Sequence, residues 1–244
     1  MNPAPASTPE ANPEVGGLTP LSATDYPGAL AAVLFCQGCP WRCGYCHNPH
    51  LIPRNSENRL DWQAVMNFLH RRRGLLDAVV FSGGEPTLQD NLAQAIEEVR
   101  ALGFRIGLHT CGAYPSRLQD SLPLLDWVGM DIKADFDGYA RVTGTPGSGD
   151  KALESARLLL ESGIAHEFRT TVHPHYHRPE ELLHLAETLR GLGVRNYVLQ
   201  EFRPLGCANA QLNSFPATEL LDTALCERIG AIFEIFSVRR DATS

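Results

Sequence analysis

Three cysteines close together in a turn rich in glycine and proline constrain this chain more than any other feature. They stand at Cys39, Cys43 and Cys46, in the run Cys-Pro-Trp-Arg-Cys-Gly-Tyr-Cys. Three close thiolates are one ligand short of a closed tetrahedral metal site. They suit an iron–sulfur cluster, because its irons prefer cysteine thiolate, and one iron then keeps an open position. The spacing therefore predicts a cluster that does chemistry rather than one that only supports the fold.

Length and composition limit the classes of protein that this chain can belong to. At 244 residues it fits one domain, and single α/β barrels commonly reach this size. The net charge of −7 does not favour nucleic acid, which binds a basic face. No apolar run approaches the roughly 18 residues that a membrane span needs. We therefore expect neither a nucleic-acid partner nor a membrane partner.

The first residues of the chain differ in composition from the rest. Residues 1–14 are rich in Pro, Ala and Ser and lack both a basic residue and an apolar core, so they do not read as a signal peptide. They predict a disordered arm, followed by a single domain at 15–244. Seven cysteines without an export signal predict a cytoplasmic protein, in which clustered thiols are ligands or catalysts rather than disulfides.

Apolar patterns alternate between strands and helices along the whole domain. Strands are predicted at 31–35, 77–82, 104–108, 127–132, 166–172 and 197–202, with a candidate last strand at 232–238. Helices are predicted from Trp62 to Arg73, around 88–99, and at 151–160, 180–189 and 218–229. Residues 15–30 predict extended chain with tight turns. About six parallel β-α-β units follow from this order, which indicates an α/β fold of the barrel type.

Chemically active residues follow the predicted strands at their carboxyl ends, where parallel barrels build their sites. In chain order they are the cysteine loop, Gly83-Gly84-Glu85-Pro86, His109-Thr110-Cys111-Gly112, Asp131 with Lys133, His173, and Glu201 with Arg203. Because all six segments follow the carboxyl ends of predicted strands, we expect them to form one site at that end of the barrel, which we call the rim.

Two other metal sites fit parts of the cysteine motif. Cys43-Gly-Tyr-Cys46-His47 matches the haem attachment pattern, but those proteins mature after export and this chain has no export signal. A structural zinc site needs a fourth ligand, which Cys36 or His47 can supply. Zinc modules usually bring paired Cys-x-x-Cys knuckles, however, so the cluster remains the favoured interpretation.

The cysteine motif after the first strand and Gly-Gly-Glu-Pro after the second together resemble the radical S-adenosylmethionine (SAM) superfamily. The resemblance implies an incomplete (β/α)6 parallel barrel of radical SAM type. It also implies that Cys39, Cys43 and Cys46 hold one 4Fe-4S cluster whose fourth iron binds SAM. An electron from the cluster then cleaves SAM and yields a 5′-deoxyadenosyl radical.

Further roles follow from this resemblance, residue by residue. Tyr45, the aromatic residue before the last cysteine, would lie by the adenine of SAM. Gly83 and Gly84 would let the backbone come close to the SAM ammonium, and Glu85 would add charge near it.

Finer likeness narrows the group within the superfamily. The runs Asp25-Tyr-Pro-Gly28, Phe35-Cys-Gln-Gly-Cys39 and Tyr45-Cys-His-Asn-Pro49 are similar to the glycyl-radical-enzyme activases. Within that group the chain most resembles proteins that activate anaerobic ribonucleoside-triphosphate reductase, over about residues 17–204.

Three predicted site segments match the corresponding activase residues to different degrees. Asp131-Ile-Lys133 matches an Asp-x-Lys pair that holds SAM in pyruvate formate-lyase activase. The run 109–112 stands where activases carry Asp-Thr-Asn-Gly, so only Thr110 and Gly112 transfer. Arg203 stands where activases have a histidine that helps to bind SAM or a monovalent cation. An arginine does not ligate a cation, although it can grip a carboxylate.

The remaining cysteines and histidines give weaker signals. His173, His175 and His177 have the alternate spacing of metal ligands on a strand, but they fall in a predicted loop. Cys207 and Cys226 are expected to serve only in packing. Cys111 is a candidate pocket residue. After Cys46 only three separated cysteines follow, so we expect one cluster only.

The resemblance implies an activase that generates a glycyl radical on a partner enzyme, anaerobic ribonucleotide reductase being the expected partner, with an electron donor such as a flavodoxin. One alternative is a small-molecule radical SAM enzyme such as 7-carboxy-7-deazaguanine synthase. The other is a non-enzymatic regulator that binds a cluster or zinc.

Overall fold

Eight strands form one sheet in which each strand lies beside its neighbour in the sequence. The structure, a computed structural model, describes residues 12–215 and 220–240. Strand β1 (Val15–Ser22) pairs antiparallel with β2 (Ala31–Cys36). The other strands add in parallel after β2, namely β3 (Ala78–Gly83), β4 (Arg105–Thr110), β5 (Trp127–Asp131), β6 (Ala165–Val172), β7 (Asn196–Glu201) and β8 (Ile235–Arg239).

The sheet is open, as the predicted incomplete barrel requires. Within the described ranges β1 and β8 are its two edges and do not pair with each other. The six predicted strands are confirmed as β2 to β7, and the candidate last strand is confirmed as β8. Strand β1 lies in the segment predicted as extended chain, and it pairs with β2 from Val15 to Ser22.

Helices connect the parallel strands. Over the described part of the chain they are α1 (Trp62–Arg72), α2 (Leu92–Arg100), α3 (Pro115–Ser121), α4 (Tyr139–Thr143), α5 (Ser148–Ser162), α6 (Pro179–Leu192) and α7 (Thr223–Gly230). The five predicted helices correspond to α1, α2, α5, α6 and α7. The predicted start of the last helix at Thr218 lies outside the described residues. Helices α3 and α4 were not predicted, because their 7 and 5 residues are too short for apolar periodicity to show.

Different sets of side chains pack on the two faces of the sheet. Alternate strand residues such as Leu34, Phe81 and Leu108 pack with the helices in the main core. On the opposite face, Tyr26 from the β1–β2 loop packs against Trp127, with ring centroids 5.5 Å apart. Trp127 begins β5, so this aromatic pair packs at the amino-terminal end of that strand.

The structure describes only residues 12–14 of the predicted arm. Residues 1–11 of the predicted arm lie outside the described residues. Glu14, however, is held in the fold: its amide donates to Gln89 Oε1 over 3.1 Å, and its carbonyl accepts from the amide of Gln37 over 2.7 Å. Among the described helices, none has the length and apolar character that a membrane crossing requires.

We expect Tyr26→Ala to lower the free energy of unfolding by about 3 kcal/mol, because it leaves a cavity beside Trp127 where a side chain only 6 % exposed now packs. Urea unfolding of the cluster-free protein, followed by circular dichroism, measures the loss. Tyr26→Phe keeps the ring and should cost less than half as much. Equal losses in the two variants would show that the aromatic contact does not stabilise this face.

Candidate functional site

The cysteine loop leaves β2 at Cys36 and is fixed at several points along its backbone. The amide of Cys39 donates to the carbonyl of Ile52 over 3.1 Å, and the guanidinium of Arg42 donates back to the Cys39 carbonyl over 2.8 Å. The amide of Arg42 donates to the carbonyl of Thr143, the last residue of α4, over 2.8 Å. The unpredicted helix α4 thus holds the loop in place.

The structure brings the three predicted ligand cysteines together. All three are half-buried, and Cys39 and Cys46 each influence the thiol of Cys43 electrostatically. Burial raises the pKa of Cys43 to about 12 and raises the pKa of Cys46, while Lys133 opposes both shifts. A hydrogen bond with Cys111 is the main cause that lowers the pKa of Cys39. The three thiols therefore share one neighbourhood with the Lys133 ammonium.

The Gly83-Gly84 pair lets the end of β3 lie directly against the cysteine loop. Gly83 has φ of 116°, and a Cβ there would come within 2.4 Å of the Cys36 amide nitrogen. A Cβ on Gly84 would come within 2.2 Å of the Gly38 carbonyl oxygen. Since both neighbours are backbone atoms, neither position accepts a side chain. Their predicted contact with the SAM ammonium stays a prediction.

Glu85 is a fully buried hub of hydrogen bonds at the same strand end. Its Oε1 accepts from the amide and hydroxyl of Thr87, over 3.1 and 2.6 Å, and from the hydroxyl of Thr110 over 2.7 Å. Its Oε2 accepts from the amide of Cys111 over 2.7 Å. The hydroxyl of Thr110 also accepts from the amide of Gly112 over 3.0 Å. Glu85 and Thr110 therefore tie β3 to β4, and any direct contact of theirs with SAM remains predicted.

Asp131 at the end of β5 binds two cations at once. Its Oδ2 lies 2.9 Å from Nζ of Lys133, and its Oδ1 lies 2.8 Å from Nε of Arg169. Burial acts to raise the pKa of Asp131, but Arg169 and then Lys133 hold it well below its ordinary value. Burial likewise acts to lower the pKa of Lys133, and Asp131 raises it well above normal. The Lys133 side chain is 12 % exposed and that of Arg169 is 7 % exposed, so two poorly hydrated cations share the Asp131 carboxylate.

Arg169 is the site residue that the sequence interpretation missed. It pairs in register with Asp131 across β5 and β6, and its guanidinium occupies space that a Cβ on Gly129 would enter. A charged residue in the middle of an otherwise buried strand was the available signal.

The backbone around Lys133 is fixed by two side chains from outside the strand. The amide of Lys133 donates to the hydroxyl of Tyr139 over 3.1 Å, and Nε2 of His177 donates to the Lys133 carbonyl over 2.9 Å. The amide of His173 donates to Nδ1 of His177 over 3.1 Å, and the His173 ring bonds the carbonyl of Leu212. These histidines thus support the loop that carries Lys133.

Tyr45 lies beneath the cysteine loop with its hydroxyl unpaired. The side chain is 3 % exposed and packs against the rings of Tyr176 and Phe202, at centroid distances of 5.6 and 6.4 Å. Burial raises the pKa of this phenol, and its oxygen has no hydrogen-bond partner among the described residues. Buried polar atoms are rarely left without a partner, so this hydroxyl suits a bound molecule. That the molecule is the adenine of SAM stays a prediction.

Arg203 lies beside the rest of the site, on the rim. It lines a cavity of about 480 Å³ at the carboxyl ends of β6 to β8, together with Arg169 and His47. The carbonyl of Arg203 accepts a hydrogen bond from Nε2 of His47 over 2.9 Å, which ties the β7 end to the cysteine loop. The exposed guanidinium is placed to bind an anionic group.

These residues fit a 4Fe-4S cluster better than a single metal ion. Among the residues described, no three His, Cys, Asp or Glu side chains converge closely enough to hold one ion, so the zinc alternative and the histidine strip gain no support. Cluster cysteines each bind a different iron and need not converge. The three thiols beside a cation, the glycine pair without side chains and the unpaired Tyr45 hydroxyl match that requirement.

We expect Asp131→Asn to destabilise the protein by about 2 kcal/mol at pH 7, because Lys133 and Arg169 lose their shared counter-charge. Solvent screens this ion pair in part, because the Asp131 side chain is 29 % exposed. Since the folded-state pKa of Asp131 is depressed, its stabilising effect is present above the unfolded value of about 4 and is lost as the pH falls further. The difference in free energy of unfolding between wild type and Asp131→Asn should therefore become smaller at acidic pH.

Urea unfolding of the cluster-free protein from pH 7 to pH 3 measures that gap. Asp90→Asn is the matched control, because Asp90 is 76 % exposed and forms only a surface pair with Arg117. A gap that is independent of pH would argue against the ion-pair network.

Known proteins of one family resemble this chain. The model of the radical SAM superfamily matches residues 33–199. A protein of Methanocaldococcus jannaschii, provisionally named as a glycyl-radical enzyme activating enzyme, is 27% identical over 241 residues, which are 91% of this chain and 98% of that protein. The pyruvate formate-lyase-activating enzyme of Staphylococcus aureus is 29% identical over 205 residues, 76% of this chain and 79% of that enzyme.

A relative of a different type matches a shorter part of the chain. The 7-carboxy-7-deazaguanine synthase of Thermococcus kodakarensis is 33% identical over 155 residues, 63% of this chain and 59% of that enzyme.

Among solved structures, QueE from Escherichia coli superimposes with a TM-score of 0.60 at 19% identity and covers 93% of both chains. This likeness concerns the fold alone. The sequence relatives confirm the predicted resemblance to the activase group. Because the family match runs from β2 through the cysteine loop and the Asp131–Lys133 pair to β7, the chain belongs to the radical SAM superfamily.

Proposed function

We propose that this protein is a glycyl-radical-enzyme activase that cleaves SAM reductively and uses the resulting 5′-deoxyadenosyl radical to generate a glycyl radical on a partner enzyme. The observation that carries the proposal is the shared neighbourhood of the three cysteines and the Asp131–Lys133 pair. Membership of the superfamily implies a 4Fe-4S cluster and SAM. The bound cluster supplies the electron for the cleavage.

Each part of the site takes one role in this proposal. Cys39, Cys43 and Cys46 hold the cluster. Lys133, Asp131 and Arg169 bear one net positive charge, which suits the carboxylate of SAM. Backbone polar groups at Gly83 and Gly84, which no side chain shields, receive the ammonium of SAM.

Tyr45 packs near the adenine, and its unpaired hydroxyl can bond the nucleoside. Arg203 adds a cation on the rim. Glu85 and Thr110 set the spacing between the strand ends from which these groups project.

The partner is proposed from the relatives, and its finer identity from the resemblance of the sequence. Activating enzymes among the relatives support a glycyl radical enzyme as the partner. We propose anaerobic ribonucleotide reductase within that class, a flavodoxin as the electron donor, and the cytoplasm as the location. The open sheet supports a polypeptide substrate, since a partner's loop can approach between the unpaired edges β1 and β8.

A small-molecule radical SAM enzyme is the second candidate. The relative that is named 7-carboxy-7-deazaguanine synthase supports it, as does the polar cavity of about 480 Å³, which is large enough for a small bicyclic substrate. The two candidates share the cluster and SAM, so cleavage of SAM does not separate them.

We expect the anaerobically reconstituted protein to generate a glycyl radical in anaerobic ribonucleotide reductase when SAM and dithionite are present. The measurement is the electron paramagnetic resonance doublet of a glycyl radical on the partner. A partner that stays silent, together with turnover of a small pterin, would move the assignment to the second candidate. Absence of any SAM cleavage would contradict both.

We expect Cys43→Ala to lose the 4Fe-4S absorption and at least about a hundredfold of SAM cleavage, because two remaining thiolates do not hold the cluster. Iron content, visible absorption and 5′-deoxyadenosine formation measure this loss. Cys226→Ala, which removes a half-buried thiol on α7, is the matched control and should keep all three values. Normal iron content in Cys43→Ala would refute the assignment of the ligands.

A further inference from the structure

Two buried histidines beside the site have no part in the proposed chemistry. His173 and His177 lie between β6, which ends at Val172, and α6, which begins at Pro179, and they are 0 % and 3 % exposed. Buried polar atoms are rarely left without a partner, and an imidazole has two ring nitrogens to satisfy. The partners of these two rings therefore show what the histidines hold together.

Lys133 depends on two side chains for the position of its backbone. Strand β5 ends at Asp131, two residues earlier, so Lys133 lies beyond the strand pairing. Its amide donates to the hydroxyl of Tyr139 over 3.1 Å, and its carbonyl accepts from Nε2 of His177 over 2.9 Å. The base of the side chain whose ammonium binds Asp131 is therefore held by Tyr139 and His177.

The hydrogen bonds of the two rings determine which nitrogen carries the hydrogen. A backbone carbonyl only accepts, so His177 has its hydrogen on Nε2, and its Nδ1 accepts from the amide of His173 over 3.1 Å. His173 repeats the pattern: its Nε2 donates to the carbonyl of Leu212 over 3.1 Å, and its Nδ1 accepts from the amide of His175 over 3.0 Å. Burial lowers the pKa of both rings, which agrees with two neutral imidazoles. All four ring nitrogens are bonded, so neither ring can turn without losing a hydrogen bond.

The far end of this series of hydrogen bonds reaches a segment that touches the cysteine loop. Leu212 belongs to residues 203–215, which follow β7 and which we call the post-β7 segment. A Cβ on Gly206 of that segment would come within 2.5 Å of the carbonyl oxygen of His47. The two histidines therefore connect Lys133 to a segment in contact with the loop that carries the proposed cluster ligands.

We propose that His177, held in place by His173, is a positioning residue that sets the Lys133 ammonium where it binds the carboxylate of SAM. The inference rests on the proposed function, because it takes Lys133 to be a contact of that carboxylate. His177 acts through the backbone of Lys133. The amino acid end of SAM has to meet both the cluster and Lys133, and the two histidines connect the segments that carry them.

The effect of losing His177 follows from the carbonyl that it satisfies. Without the Nε2 donor, the Lys133 carbonyl lacks its partner, and the backbone moves toward another one. The side chain moves with it, while Asp131 still attracts the ammonium. Since the attraction between two charges weakens as their separation grows, a displaced ammonium binds the carboxylate of SAM less tightly. A ligand without the carboxylate is not affected by this displacement.

The test compares SAM with decarboxylated SAM, which lacks only the carboxylate. Anaerobic equilibrium dialysis of the cluster-loaded protein, without reductant, measures the dissociation constants of both. His177→Asn keeps an acceptor for the His173 amide but is too short to reach the Lys133 carbonyl, whereas His177→Gln restores the reach. We expect His177→Asn to bind SAM roughly fivefold more weakly than wild type does and to bind decarboxylated SAM equally well. His177→Gln should bind both ligands as wild type does.

Two further comparisons isolate this effect. His175→Asn makes the same change at an exposed histidine of the same turn and should equal wild type. In a Lys133→Ala background, His177→Asn should cause no further loss of SAM affinity, because its effect passes through the Lys133 side chain. A further loss in that background would overturn the inference.

An intact cluster with the wild-type ratio of the two dissociation constants in His177→Asn would also overturn the inference, while the proposed function would stand. Equal weakening of both ligands, or failure of His177→Asn to take up iron, would show a purely structural role and overturn it as well. A wild-type protein that binds both ligands equally would remove Lys133 from the carboxylate, and the inference with it. A wild-type protein that takes up no iron or cleaves no SAM would overturn the proposed function itself.

Discussion

The buried carboxylate of Glu85 is the interaction on which the rest of the site depends. Glu85 follows the end of β3 and joins it to two segments that are distant in sequence. Its carboxylate accepts from Thr110 and Cys111 at the end of β4, and its amide donates to the carbonyl of Gly38 at the start of the cysteine loop. A buried carboxylate costs much free energy unless its oxygens accept hydrogen bonds, and here both do. The same bonds that satisfy it therefore set the distances between the strand ends that carry the site.

Charge is the second constraint on the site. Asp131 neutralises only one of the two cations that it binds, and the three cysteines lie within the field of Lys133. Two poorly hydrated cations that share one carboxylate are stabilised further when an anionic group binds beside them. A cluster with thiolate ligands and the carboxylate of SAM both bring negative charge. The arrangement thus explains why a chain with a net charge of −7 concentrates cations at this rim.

Much of the fold and of the site was predictable, because each depends on local patterns. Apolar periodicity located β2 to β8 and the five longer helices, and the order of strands and helices gave the parallel sheet. The short helices α3 and α4 were missed, since they have too few residues for periodicity. Arg169 was missed because no motif contains it: its importance comes from lying opposite Asp131 on the neighbouring strand.

The sequence by itself determined the chemistry of the site: the thiols of Cys39, Cys43 and Cys46, the glycines that admit no side chain, and the Asp131–Lys133 pair were all readable, because their spacing is local. Only the tertiary structure decided how these groups act on each other. It placed Arg169 on Asp131 and turned the Glu85 carboxylate inward, where it accepts hydrogen bonds from Thr110 and Cys111. These contacts depend on strand register and on which buried polar groups find partners, and both are settled only when the whole sheet is assembled.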